Sequence, residues 1–220
     1  MMRAVNLAVL VMLLSLSLIA ASKPHVVTLG RWAAIPWRPD SDESKPSTLK
    51  MRPLYIDGHT KEFTVGAVHD VTERTFVVQR VYRLNDSLPQ ENGPTQWRWQ
   101  LGGWLLVDRS SGKVQQVALS EFDPNMSSVS WFRDYGAYCG ISDDGQKIYA
   151  LIVQLGRRKP LLRKAVGENK GASHPCSPPV WERNPIRATF GITPDQKLTF
   201  AVKSRAAEAI VEGDDDSDSE

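Results

Sequence analysis

Four stretches of this chain alternate apolar and polar side chains, and each is broken by a short polar turn. A period of two confines what the chain can fold into. Phe63, Val65, Ala67 and His69 alternate with Glu62, Thr64, Gly66 and Val68. Side chains two apart share one face of a strand, so the pattern predicts a half-buried strand rather than a helix. Past the Asp70–Glu73 turn, 75–84 supplies Phe76, Val77, Val78, Val81 and Tyr82, which suit a pleated surface. Residues 62–69 and 75–84 are therefore expected to form a hairpin.

A second hairpin joins 104–107 to 113–119 across Asp108–Gly112, a polar turn with glycine where positive φ is cheapest. A third joins 137–142 to 147–155 across Asp143, Asp144 and Gly145. A fourth joins 187–193 to 197–203 across Pro194, Asp195 and Gln196. In 147–155, Ile148, Ala150 and Ile152 take one face while Tyr149, Leu151, Val153 and Leu155 take the other. Apolar residues on both faces predict a central strand covered on both sides, with 159–166 as its neighbour. The fold class that follows is all-β: antiparallel hairpins packed as a sandwich or barrel over residues 54–205.

The flanks read differently. Residues 23–53 hold Pro24, Pro36, Pro39, Pro46 and Pro53 and are expected to be an irregular arm. The Pro-rich 174–185 is expected to be an exposed loop. Residues 206–220 are expected to hold a short helix, read from the Ala-rich run 204–211, and then a disordered acidic tail. The first twenty-two residues have the layout of a secretory signal peptide: Arg3, an apolar run to Ile19, and Ala20-Ala21-Ser22 before Lys23. An uncleaved anchor is the competing reading of the same run. The expected localisation is secreted or periplasmic, away from cytosolic nucleotide cofactors, and no cofactor is expected.

The mature chain has two cysteines, Cys139 and Cys176, and in an oxidising compartment an even pair predicts a disulfide. His174 beside Cys176 lacks the paired spacing of a zinc site, so no metal is expected. Charge is unevenly placed. Residues 212–220 hold six acids, which leaves 26 basic and 19 acidic residues over 23–211, a net of +7. The acidic run is read as a solubilising tail or as a competitor for the anionic partner of the body.

The third and fourth hairpins echo one another. Gly140-Ile141-Ser142-Asp143-Asp144 precedes Lys147-Ile148, and Gly191-Ile192-Thr193-Pro194-Asp195 precedes Lys197-Leu198, about fifty residues on. With Trp104–Asp108 and Gly112-Lys113, this cadence over 100–203 resembles β-propeller blades of the WD-repeat and periplasmic kinds. The resemblance implies incomplete propeller-like sheets as an alternative architecture and a partner-binding platform as a role. It carries no specific residue onto this chain, and the length leaves room for three or four blades at most.

Three constellations are candidates for function. His69 with Asp70 and Glu73 has the composition of part of a hydrolytic site, against a histidine bonded into its own turn. Trp97, Trp99 and Trp104 could stack a sugar ring or a peptide, against ordinary core packing. Arg157, Arg158 and Lys159, with Arg163 and Lys164 nearby, make the densest basic cluster, suited to an anionic partner or to guarding a strand edge. Asp143 and Asp144 lack the further ligands of a calcium loop. Asn85-Asp86-Ser87 and Asn125-Met126-Ser127 are glycosylation triplets. No nucleophile elbow, zinc-protease motif or phosphate loop occurs. The expected function is an exported, non-catalytic binding or structural β-protein whose partner is an anionic glycan, an envelope component or a protein. The alternative is a secreted hydrolase using His69 with a nearby carboxylate.

Overall fold

A computed structural model of the chain describes residues 24–37, 47–90, 92–169, 171 and 176–203, and the backbone of 206–210. The described residues contain strands and turns and no helix. The predicted signal peptide, His174 and the acidic run lie outside them.

The first half forms one curled antiparallel sheet, a half-barrel. Its strands are β1 (Val27–Leu29), β2 (Ala33–Trp37), β3 (Ser47–Ile56), β4 (His59–Asp70), β5 (Thr75–Asn85), β6 (Trp97–Asp108) and β7 (Val114–Gln116). The order is β1-β3-β4-β5-β6-β7, with β2 on the same side of β3 as β1. The curl brings β2 against β6. Val77, Val78 and Val81 of β5 are fully buried, and each such side chain contributes about 1.5–3 kcal/mol relative to exposure. One cluster joins Leu54, Phe76, Val78, Leu105 and Val107; another joins Ile35, Met51, Val65 and Val81.

The predicted irregular arm is corrected at this point, because 27–29, 33–37 and 47–56 are strands. Pro36 is tolerated because β2 lies at an edge. Pro53 is tolerated because of the register. β1 pairs with 54–56 and β2 with 47–51, so Pro53 falls in the gap between them, where its missing N–H removes no ladder bond. Its carbonyl still accepts the Gly30 N–H at 2.8 Å.

The second half is two four-stranded meanders. The first runs β11-β10-β9-β8, from β8 (Ser130–Phe132), β9 (Tyr135–Ile141), β10 (Lys147–Gln154) and β11 (Leu162–Glu168). The second runs β12-β13-β14-β15, from β12 (Ser177–Glu182), β13 (Arg187–Thr193), β14 (Gln196–Lys203) and β15 (Ala206–Ile210). The two echoing hairpins are thus the central pairs of equivalent sheets. Ala137, Cys139, Ile148, Ala150 and Ile152 of one sheet pack on Ala188, Phe190 and Phe200 of the other. On the far face, Tyr138, Leu151 and Val153 pack with Leu119, Phe122 and Val129. That is the double coverage that the alternation in 147–155 predicts.

Two ties hold β12 to the first meander. Cys139 and Cys176 form a disulfide with Cα atoms 6.1 Å apart, and the Trp181 indole donates to the Ser130 carbonyl at 3.0 Å. The bridge fits an oxidising compartment. Two further expectations are corrected. The 174–185 region is not all loop, since 177–182 forms an edge strand that admits Pro178 and Pro179. Residues 206–210 pair with β14 as a strand instead of forming the predicted helix. Helix preference among alanines is worth only tenths of a kcal/mol per residue, and the open edge of β14 offers a full row of backbone partners.

Candidate functional site

Geometry separates the three candidates. His69 and Asp70 are neighbours on β4, so their side chains point to opposite faces. The His69 Nε2–H donates to the Arg133 carbonyl at 2.8 Å, and its ring stacks on Trp131 with centroids 6.3 Å apart. The Asp70 carboxylate instead accepts Arg109 Nη2 at 2.7 Å, and Arg109 also reaches the Glu73 carbonyl oxygen at 3.4 Å. Arg109 lies over the Phe76 ring at 4.5 Å. His69 therefore anchors the large sheet to the first meander, while Asp70 and the Glu73 backbone anchor Arg109 to the β4–β5 turn. The three are not brought together as an acid–base group.

The tryptophans share one face but not one place. Between the pairs Gln79↔Trp104 and Val81↔Leu101, two residues of β6 oppose one of β5. That bulge, at Gly102-Gly103, shifts Trp104 onto the face of Trp97 and Trp99. Trp97 is exposed at the strand end, with the Arg83 guanidinium 5.7 Å from its ring and 5.2 Å from that of Trp99. Trp99 packs edge-on against Phe63 at 5.3 Å. Trp104 packs on Trp131 at 5.4 Å, and neither indole N–H has a hydrogen-bond partner. Trp99 and Trp104 thus serve packing, which leaves Trp97 as the exposed ring.

The basic cluster divides as well. Arg163 lies on the edge strand β11, where its guanidinium pairs with Glu121 and covers the Tyr149 ring at 4.0 Å. The hydrogen bond to Glu121 raises its pKa above the ordinary arginine value. Lys164 sits 5.9 Å from the Phe200 ring. Arg157, Arg158 and Lys159 are exposed in the turn between β10 and β11.

Arg157 and Arg158 line a cleft of about 550 Å³ between the large sheet and the first meander. Its other walls are Gly103, the 116–120 segment, Phe122, Pro124, Val153 and Pro160. Among the described residues no carboxylate lines it. The two arginines share this lining with Val117, Leu119, Phe122 and Val153, a combination suited to an anion carrying an apolar part.

Sequence reading singled out the two arginines but missed the opposing wall. The strand expected over 113–119 ends at Gln116, and packing of Leu119 and Phe122 on the Tyr138, Leu151 and Val153 cluster is what places the residues beyond it. Asp143 and Asp144 belong to their turn: the Asp144 carboxylate accepts the Ser142 hydroxyl and the Gln146 N–H, which hold its pKa below the ordinary value. Among the described residues no cluster of His, Cys, Asp and Glu could hold a metal. Compared with known proteins, the chain matches no family model, no curated protein and no solved structure.

Proposed function

We propose that this chain is an exported, non-catalytic binding protein that takes an anionic glycan in the Arg157–Arg158 cleft. The observation that carries the reading is a cleft lined by two exposed arginines and several apolar side chains, with no acid among its described walls. A body with net charge +7 would also draw a polyanion toward it. The leader and the disulfide support export. The paired four-stranded meanders resemble propeller blades in their strand order, and that resemblance favours a platform for a partner. His69 and Asp70 both hold structural hydrogen bonds, which favours binding over the hydrolytic alternative.

Retention on a heparin column tests the proposal. Arg157→Ala with Arg158→Ala should elute at clearly lower salt than the parent chain. Lys147→Ala with Lys197→Ala removes the same charge elsewhere and should shift elution less. Equal shifts for the two pairs would reduce the interaction to net charge and remove the cleft from it.

A further inference from the structure

A second hollow, of about 630 Å³, lies on the large sheet and is lined by Trp32, Ala33, Ala34, Lys50, Gly66 and Ala67. Its floor comes from three strands. β2 gives Ala33 and Ala34, β3 gives Lys50, and β4 gives Gly66 and Ala67. In β4 the register passes from Val65↔Gln79 to His69↔Val77, so Gly66, Ala67 and Val68 stand opposite Val78 alone. Gly66 accommodates this bulge with φ of +69°, a conformation that side chains other than glycine disfavour. A Cβ added there would meet nothing within 4 Å. The small residues leave an open floor among the described residues.

Trp32 forms the wall. Trp32 is 48% exposed although the Arg52 guanidinium lies 4.3 Å from its ring centroid. Arg52 covers one face of the indole, and the other is left to line the hollow. Arg52 Nε is buried with no hydrogen-bond partner, so the stack on Trp32 positions this cation. Lys50 adds a second positive charge, and among the described residues no carboxylate lines the hollow. An exposed indole, a floor of small residues and two cations fit a ring with apolar C–H groups and a negative charge at its edge.

We propose that this hollow binds one ring of a uronate-bearing saccharide, with the pyranose on Trp32 and the carboxylate on Lys50. The inference rests on the anionic-glycan reading for its ligand class, but on residues that the Arg157–Arg158 cleft does not share. The Arg52 charge deepens the local positive potential without touching the sugar.

The test is an NMR titration of the whole chain with trigalacturonate, and with cellotriose as a neutral counterpart. The readout is the indole N–H resonance of Trp32, assigned by its disappearance in Trp32→Phe. Trigalacturonate should move this resonance, and cellotriose should move it far less. Lys50→Gln should weaken trigalacturonate binding about tenfold, as expected for one charge-assisted contact. Ala67→Tyr, which fills the floor and keeps Trp32, should weaken it at least as much. Arg157→Ala with Arg158→Ala should leave the Trp32 response intact. An unmoved resonance at millimolar trigalacturonate, or equal responses to the two sugars, overturns the inference. If the arginine pair governs heparin retention while Trp32 stays silent, the hollow is excluded and the cleft stands. If Trp32 responds while heparin retention ignores the arginines, the hollow stands and the cleft is excluded.

Discussion

The carbonyl oxygen of Glu121 lies 2.4 Å from where a Cβ on Gly140 would stand. The same oxygen accepts the Ile141 N–H at 2.9 Å, and Glu121 itself holds a left-handed φ of 50°. This contact lays the 117–129 segment on β9 and so builds the inner wall of the cleft. Gly140→Ala must push that backbone away or distort the strand. The expected loss of stability is about 1–3 kcal/mol, typical of overpacking. Urea denaturation checks it, and a variant as stable as the parent would show the contact to be loose.

Tyr138 makes the fold sensitive to alkali. Its ring is fully buried beside Leu151 and its hydroxyl donates to the Ser120 carbonyl at 2.8 Å. Burial raises the phenol pKa well above its ordinary value, because a phenolate would be stranded without water. Below about pH 10 the phenol is neutral in both states, and its contribution is fully present. Above that the unfolded chain ionises first, binds fewer protons, and stability falls as pH rises. Tyr138→Phe should cost about 1 kcal/mol at neutral pH through the lost hydrogen bond and should flatten the alkaline decline. A pH series of thermal melts reads both effects.

The Cys139–Cys176 bridge spans 37 positions. Closing a loop of that size in the unfolded chain stabilises the fold by up to about 4 kcal/mol on the chain-entropy model. Cys139→Ala with Cys176→Ser should lower the urea midpoint accordingly and should loosen β12 first, because this edge strand then keeps only its pairing with β13 and the contacts of Trp181 with Ser130, Phe132 and Tyr135. Hydrogen exchange along β12 that stays as slow as in the parent would show that the tie is dispensable.

Removing 213–220, which lie outside the described residues, should strengthen heparin retention at low salt and lose that advantage as salt rises. Electrostatic competition within one chain is screened over a Debye length of about 10 Å at 0.1 M salt. Identical elution of the two forms at low salt would leave the acidic run without a regulatory role.

Period-two alternation made most of this fold legible before any coordinates. Ile148, Ala150 and Ile152 enter one core while Leu151 and Val153 enter another, as their spacing dictates. The strands around Pro36 and Pro53 were not legible, because a proline reads as a breaker unless the register of both neighbours is known. The same limit hid β15, whose alanines favour a helix until an unpaired strand edge is placed beside them. Arg157 and Arg158 could be picked out as a dense basic turn. The cleft they line could not, since its opposite wall is placed by long-range contacts: Leu119 and Phe122 packing on the Val153 cluster, and the Ser120 and Glu121 carbonyls bonding to Tyr138 and Ile141. Trp104 shows the reverse: Gly102-Gly103 signals a bulge in the sequence, but only pairing reveals which face the indole takes.

The disulfide ring encloses the whole of β10, the Arg157–Lys159 turn and β11. A protease that cuts anywhere inside that ring leaves both pieces covalently joined, so the nick stays invisible on a non-reducing gel. Outside the cell, where peptidases are common and reductants scarce, the cleft would outlast such damage until a thiol reached the bridge.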